Sequence, residues 1–68
     1  MNKIDKRQEI GRRIAHLRTA CGFTQRQLAA KCNLEQSHIA RIERGKFSVG
    51  LDTLTAIAEA LGKEVKID

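Results

Sequence analysis

The stretch from Thr24 to Arg44, TQRQLAAKCNLEQSHIARIER, decides how this chain folds. It reads as two short helices joined by a tight turn. Thr24 is a good N-cap, and Gln27, three residues on, completes a capping box. Leu28 and Ala29 then open an apolar face. Asn33 stands where the chain must turn, and Asn tolerates positive φ well enough to end a helix there. Leu34 anchors the turn. In the second helix Ile39 and Ile42, three apart, face inward. The other face shows Gln36, Ser37, His38 and Arg41. Gly45 then ends the helix by offering a left-handed C-terminal residue.

Before this unit, Ile10, Ile14, Leu17 and Cys21 fall at spacings of four, three and four, which is one helical face. The spacing predicts a helix over residues 5–21, with Asp5 as N-cap and Gly22 as its stop. Phe23 precedes the Thr24 cap, where it can staple against Leu28. Ala29 is small at the place where the two central helices cross. After the unit, Leu51, Leu54, Ile57, Ala58 and Leu61 predict a further helix over 51–61, ended by Gly62. The two central helices are expected at 25–32 and 36–44. In the tail, Glu64, Val65, Lys66, Ile67 and Asp68 alternate polar and apolar, which is the period of a strand. A lone strand needs a partner for its backbone groups. Pairing with the same tail of a second subunit, through Val65 and Ile67, is one expectation; a disordered end is the other. The expected fold class is therefore all-α: a compact bundle of four helices in one domain, plus a short C-terminal β-strand over 63–68 that pairs across a dimer.

Composition narrows the function. Sixty-eight residues make one small domain with a modest core, which a dimer interface would help. Tryptophan and tyrosine are absent and only Phe23 and Phe47 are aromatic, so the core must be aliphatic. Thirteen basic residues against eight acidic give a net charge of +5, which suits a polyanionic partner or is simply a solvated basic surface. Cys21, Cys32, His16 and His38 are scattered without metal-ligand spacing, so the cysteines read as thiols in a reducing cytoplasm rather than as ligands. No cofactor is expected. No apolar run is long enough for a membrane span or a signal peptide, and a cytoplasmic protein is expected. No nucleophile–base pair and no glycine-rich phosphate loop is present, which points away from an enzyme.

Long hydrogen-bonding side chains near the start of a helix, in a basic chain, suit the DNA major groove. Gln can pair bidentately with adenine, Arg with guanine, and Ser with several base edges. The segments IGRRIAHLR, GFTQRQLAAKCNLEQSHIARIERG and LDTLTAIAEALG together resemble the helix-turn-helix DNA-binding domain of the phage repressor and Cro type, also called the Xre family, over about residues 10–62. The resemblance implies a lambda repressor-like fold. It places Gln36, Ser37 and Arg41 at base-reading positions, with His38 touching a base or phosphate or simply flanking the helix. It implies that Gln25 binds a phosphate and braces Gln36. Arg26, beside Gln25, is a further phosphate candidate, and Arg44 and Lys46 match phosphate positions at the end of the recognition helix. It also implies that Glu43 pairs inside the fold with Arg18 as a structural ion pair.

Five features stay open in the sequence. Glu35 stands where the family has Ser or Thr as N-cap; it can accept from a cytosine amino group or repel DNA. Val49 stands where the family often has Pro. Phe47 can tuck against the body or contact a sugar or a partner. Lys3, Lys6 and Arg7 can form a DNA-touching arm or a frayed end. Arg12 and Arg13 are either a solvated face or lie near phosphates.

The function implied is a sequence-specific regulator of transcription, acting as a repressor and a homodimer on double-stranded DNA with a two-fold operator. Alternatives are an antitoxin that also represses its own operon beside a toxin protein, a restriction–modification controller, a phage repressor, and an interaction module that has lost DNA. Arg26, Arg41, Arg44 and Lys46 speak against the last.

Overall fold

A computed structural model describes residues 5–66. It contains four helices in the order α1 (Lys6–Ala20), α2 (Gln25–Lys31), α3 (Gln36–Glu43) and α4 (Leu51–Ala60). Asp5 caps α1, its carboxylate accepting from the Arg7 backbone N–H at 2.9 Å and from the Arg7 side chain. The hydrogen bonds from Arg7 hold the Asp5 carboxyl below its usual range. The Thr24 hydroxyl accepts from the Gln27 N–H at 3.0 Å, while the Gln27 carbonyl oxygen accepts from the Thr24 N–H at 2.8 Å, so the α2 capping box is closed in both directions. Glu35 begins α3 without any side-chain capping bond, as a weak capping residue should.

All four helices stop by one device. The third residue past each end donates back to a carbonyl in the last turn: Phe23 to Arg18, Leu34 to Ala29, Lys46 to Arg41 and Lys63 to Ala58. The residue just before that donor is left-handed in every case. Asn33 fills that position after α2 at φ 59°, the sole non-glycine with positive φ among the described residues. Its short polar side chain is what makes a conformation so costly to most residues accessible there.

The core is aliphatic: Ile14, Leu28, Ala29, Ile39, Ile42, Ile57 and Leu61 are buried, with Leu17, Phe23, Leu34, Phe47 and Leu54 packed against them. The central pair α2–α3 packs on α1 from one side and on α4 through α2. The predicted apolar stripes are only partly covered. Ile10 and Cys21, at the two ends of the α1 stripe, are exposed, and Leu51 at the start of α4 is 69% exposed. A domain of this size has too little interior to hide the full length of every stripe.

The tail departs from expectation. Lys63–Lys66 form no strand, and Ile67 and Asp68 lie outside the described residues, as does Lys3 at the other end. The physical reason is visible at Lys63. Its N–H completes the cap of α4 at 2.8 Å, so the chain leaves as an extension of a helix stop, and no other element among the described residues offers a strand edge. Val65, 41% exposed, instead borders an apolar groove with Ile10 and Leu54.

At Gly11 helices α1 and α3 approach too closely for a side chain. A Cβ built there would collide with the backbone carbonyl oxygens of Ile42 and Glu43, the latter at 2.7 Å. Alanine would raise helix propensity by about 1 kcal/mol, but the obstruction is backbone and cannot rotate away. Gly11→Ala is expected to lower stability by a net ~1–3 kcal/mol. Urea denaturation followed by circular dichroism measures this, and an unchanged or higher midpoint would show that α1 and α3 can part without cost.

Candidate nucleic-acid interface

The site is built outward from one ion pair. Arg18, near the end of α1, donates from Nε to Glu43 Oε2 at 2.6 Å and from a terminal nitrogen to Glu43 Oε1 at 3.1 Å. Its other terminal nitrogen donates to the Phe23 carbonyl at 2.8 Å. The Arg18 and Glu43 side chains are only 14% and 6% exposed. The planar guanidinium therefore ties three places together: the end of α1, the turn before α2 and the end of α3. A bidentate fork is the arginine geometry best matched to a carboxylate.

From Glu43 the network runs to the surface. Gln25 Nε2 donates to Glu43 Oε1 at 2.9 Å, and Gln36 Nε2 donates to Gln25 Oε1 at 3.0 Å. The sense of both amides follows from chemistry. An ionised carboxylate only accepts, so Gln25 must turn its amino group inward and its carbonyl toward Gln36. Gln36 must then answer with its own amino group. That leaves Gln36 its Oε1 and one amide hydrogen, which are the acceptor and donor an adenine edge requires.

Most of the predicted residues are exposed, and Gln25 is tied to Gln36. Gln36, Ser37 and Arg41 are exposed along α3. Arg26 is exposed on α2, and Arg44 and Lys46 are exposed after α3, with Arg44 Nε turned back to the Ala40 carbonyl at 3.3 Å. Gln25 is half-buried between α2 and α3. Glu35 is exposed at the head of α3, its carboxylate unused by the cap.

His38 is set apart from the base-reading candidates. Its ring lies edge-on to Phe47, centroids 4.7 Å apart and planes at 79°, and its Nε2 is shielded from solvent with no hydrogen-bond partner. It serves the packing of the loop after α3. Phe47 is half-buried against the core and also lies under Arg41, whose guanidinium carbon is 5.4 Å from the ring centroid. Val65 and Ile67, the predicted dimer contacts, are not part of this surface: Val65 borders the groove beside α1 and α4, and Ile67 is outside the described residues.

Among the described residues no group of three or more His, Cys, Asp or Glu is arranged to hold a metal ion, and no helix is long and apolar enough to cross a membrane. Cys21 is exposed and Cys32 half-buried, both as free thiols, and burial pushes the Cys32 thiol up. Two contacts were not legible beforehand. Nothing in the spacing pairs Gln25 with Glu43, eighteen residues apart. Nothing pairs Phe47 with Arg41 either; an aromatic in a chain with only two was the one available signal.

Comparisons with known proteins bear on the family and the fold. A family model described as helix-turn-helix matches residues 14–67. The chain is 46% identical over 56 residues to the immunity repressor protein of Bacillus phage phi105, covering 82% of this chain but 39% of that protein. It is 35% identical over 58 residues to the control protein C.BamHI of Bacillus amyloliquefaciens, covering 84% of this chain and 72% of that one. Among solved structures, it superposes with a TM-score of 0.86 and 34% identity on the restriction-modification controller protein C.AhdI from Aeromonas hydrophila, over 90% of this chain and 92% of that one. The chain thus spans less than half of the phage repressor and most of the two controllers.

Replacing Glu43 tests whether the ion pair carries the frame. With both partners largely buried, Glu43→Ala strands the Arg18 charge and is expected to cost about 3–5 kcal/mol. A chemical-denaturation midpoint measures it. A loss near that of an exposed pair, under about 1 kcal/mol, would show that water reaches the guanidinium and that the frame is held elsewhere.

Proposed function

Because the chain belongs to the helix-turn-helix family of the phage repressor and Cro type, a family of DNA-binding regulators rather than enzymes, we propose that it is a sequence-specific transcriptional regulator that represses by occupying an operator. The observation that carries the reading is the oriented amide of Gln36, held by Gln25 at the head of α3 beside exposed Ser37 and Arg41. In this reading α3 lies in the major groove. Gln36, Ser37 and Arg41 meet base edges, and His38 supports the helix from behind. Gln25, Arg26, Arg44 and Lys46 meet phosphates on either side and fix the helix in register.

The regulator acts in the cytoplasm as a homodimer on a two-fold site. Two recognition helices about 34–36 Å apart enter successive major grooves on one face of the duplex. The groove bordered by Ile10, Leu54 and Val65 supports this, since it is the apolar surface a second subunit would cover. Control of a restriction–modification operon is a second reading. It is favoured by the likeness to two controller proteins, one of them matched over nearly its whole length.

Fluorescence anisotropy tests the proposal, with a duplex from upstream of the chain's own gene and a scrambled duplex, at two salt concentrations. Wild type is expected to prefer the native duplex at the higher salt, where phosphate-driven binding weakens. Arg41→Ala is expected to lose about 1–3 kcal/mol of that preference while staying folded. Equal binding of both duplexes, lost together as salt rises, would reduce the surface to a non-specific phosphate contact.

A further inference from the structure

The base contacts proposed above make no use of Phe47, yet the structure gives this residue two partners on α3. His38 and Arg41 are one turn apart on the helix and both meet the Phe47 ring, the first edge-on at 4.7 Å and the second with its guanidinium carbon 5.4 Å from the centroid. The ring itself is anchored, because Phe47 packs against the buried core. His38 meets it from the side, with Nε2 shielded from solvent and without a hydrogen-bond partner. Arg41, by contrast, is exposed. An exposed arginine ordinarily samples many rotamers, and freezing it on a base edge costs entropy at the moment of binding.

An aromatic face restrains such a side chain in a particular way. It attracts the cation through the ring quadrupole and occupies none of the guanidinium's five N–H donors. A carboxylate in the same place would consume two of them and compete with the guanine edge. Phe47 therefore can hold Arg41 while leaving its hydrogen-bonding fork open for DNA.

We propose that Phe47 is the positioning residue that holds Arg41 in its base-reading rotamer before DNA arrives, and thereby sets how strongly the base pair under Arg41 is discriminated. This rests on the reading of Arg41 as a base contact.

The test is a double-mutant cycle. The probes are the duplex most enriched from a random library by the wild-type chain and a version altered at the guanine that Arg41→Ala ceases to select. Phe47→Leu is expected to lower the preference between them by about two- to fivefold, and Phe47→Tyr, which keeps the ring, to retain it. In the Arg41→Ala background Phe47→Leu is expected to change nothing further. In the unbound protein, the Arg41 δ-protons are expected to carry an upfield ring-current shift that Phe47→Leu removes and Phe47→Tyr preserves. Phe47→Met stands in if Phe47→Leu does not fold.

Equal losses from Phe47→Leu in both backgrounds would overturn the proposal, since Phe47 would then act only by packing. So would an Arg41 δ-proton shift unaffected by the loss of the ring. If Arg41→Ala costs selectivity and Phe47→Leu does not, the positioning role alone falls. If Arg41→Ala costs no selectivity at any guanine, or if the wild-type chain enriches no duplex, the base-contact reading falls and this one with it.

Discussion

Everything on the surface proposed to meet DNA depends on where the end of α3 sits, and one guanidinium holds that end to α1 and to the turn before α2. Arg18 spends one edge on Glu43 and the remaining amine on the Phe23 carbonyl. Hydrophobic contact alone would leave α3 free to slide, because Ile39 and Ile42 would be content in several nearby positions on an aliphatic core. A fork of directed hydrogen bonds has one good geometry. The buried pair adds little net stability once desolvation is counted, and its value here is registration. Gly11 acts in the same place from the other direction. By presenting no side chain it lets α1 close onto the carbonyls of Ile42 and Glu43, which brings the end of α3 within reach of the fork.

The helices were legible because their ends are chemically marked. Thr24 with Gln27, Asp5, and the left-handed Gly22, Asn33, Gly45 and Gly62 each satisfy backbone groups that an unmarked end would leave open. The tail was misread for the complementary reason. Alternation over EVKID, residues 64–68, is a true period-2 pattern, but period describes only which side chains share a face. It says nothing about whether a neighbouring strand exists, and Lys63 was already committed to closing α4. Residual exposure of Ile10, Leu51 and Val65 was likewise invisible to periodicity, which finds a stripe without showing how much of it a small core can cover.

The interface was legible in pieces of unequal kind. The residue types on the outer face of α3 announced hydrogen bonding, and the family likeness linked Gln25 to Gln36 and Arg18 to Glu43. What no local pattern could supply was that these two links are one network, joined where Gln25 donates to Glu43. The contact is long-range and made by amide and carboxylate atoms whose positions depend on packing. His38 had two readings in the sequence, a base or phosphate contact and a simple flank of the helix, and its ring lies edge-on to Phe47, because a residue at the margin of the outer stripe can be claimed by the loop that follows the helix.

The two ends of α3 hold their polar groups by different means, and the difference follows from the groups. A glutamine amide has a donor end and an acceptor end, and the wrong sense presents the wrong pattern to a base. It needs a partner that fixes polarity, and a carboxylate at the root of the chain does so, since Glu43 can only accept and each amide after it is forced in turn. An arginine has no polarity to fix, since every one of its groups donates. What it lacks is rigidity, and a hydrogen-bonding restraint would consume the donors it exists to offer. A ring beneath it confers rigidity without that loss. The charged root at Glu43 and the aromatic at Phe47 are thus matched to the side chains they hold, and exchanging them would leave the glutamine unpolarised and the arginine occupied.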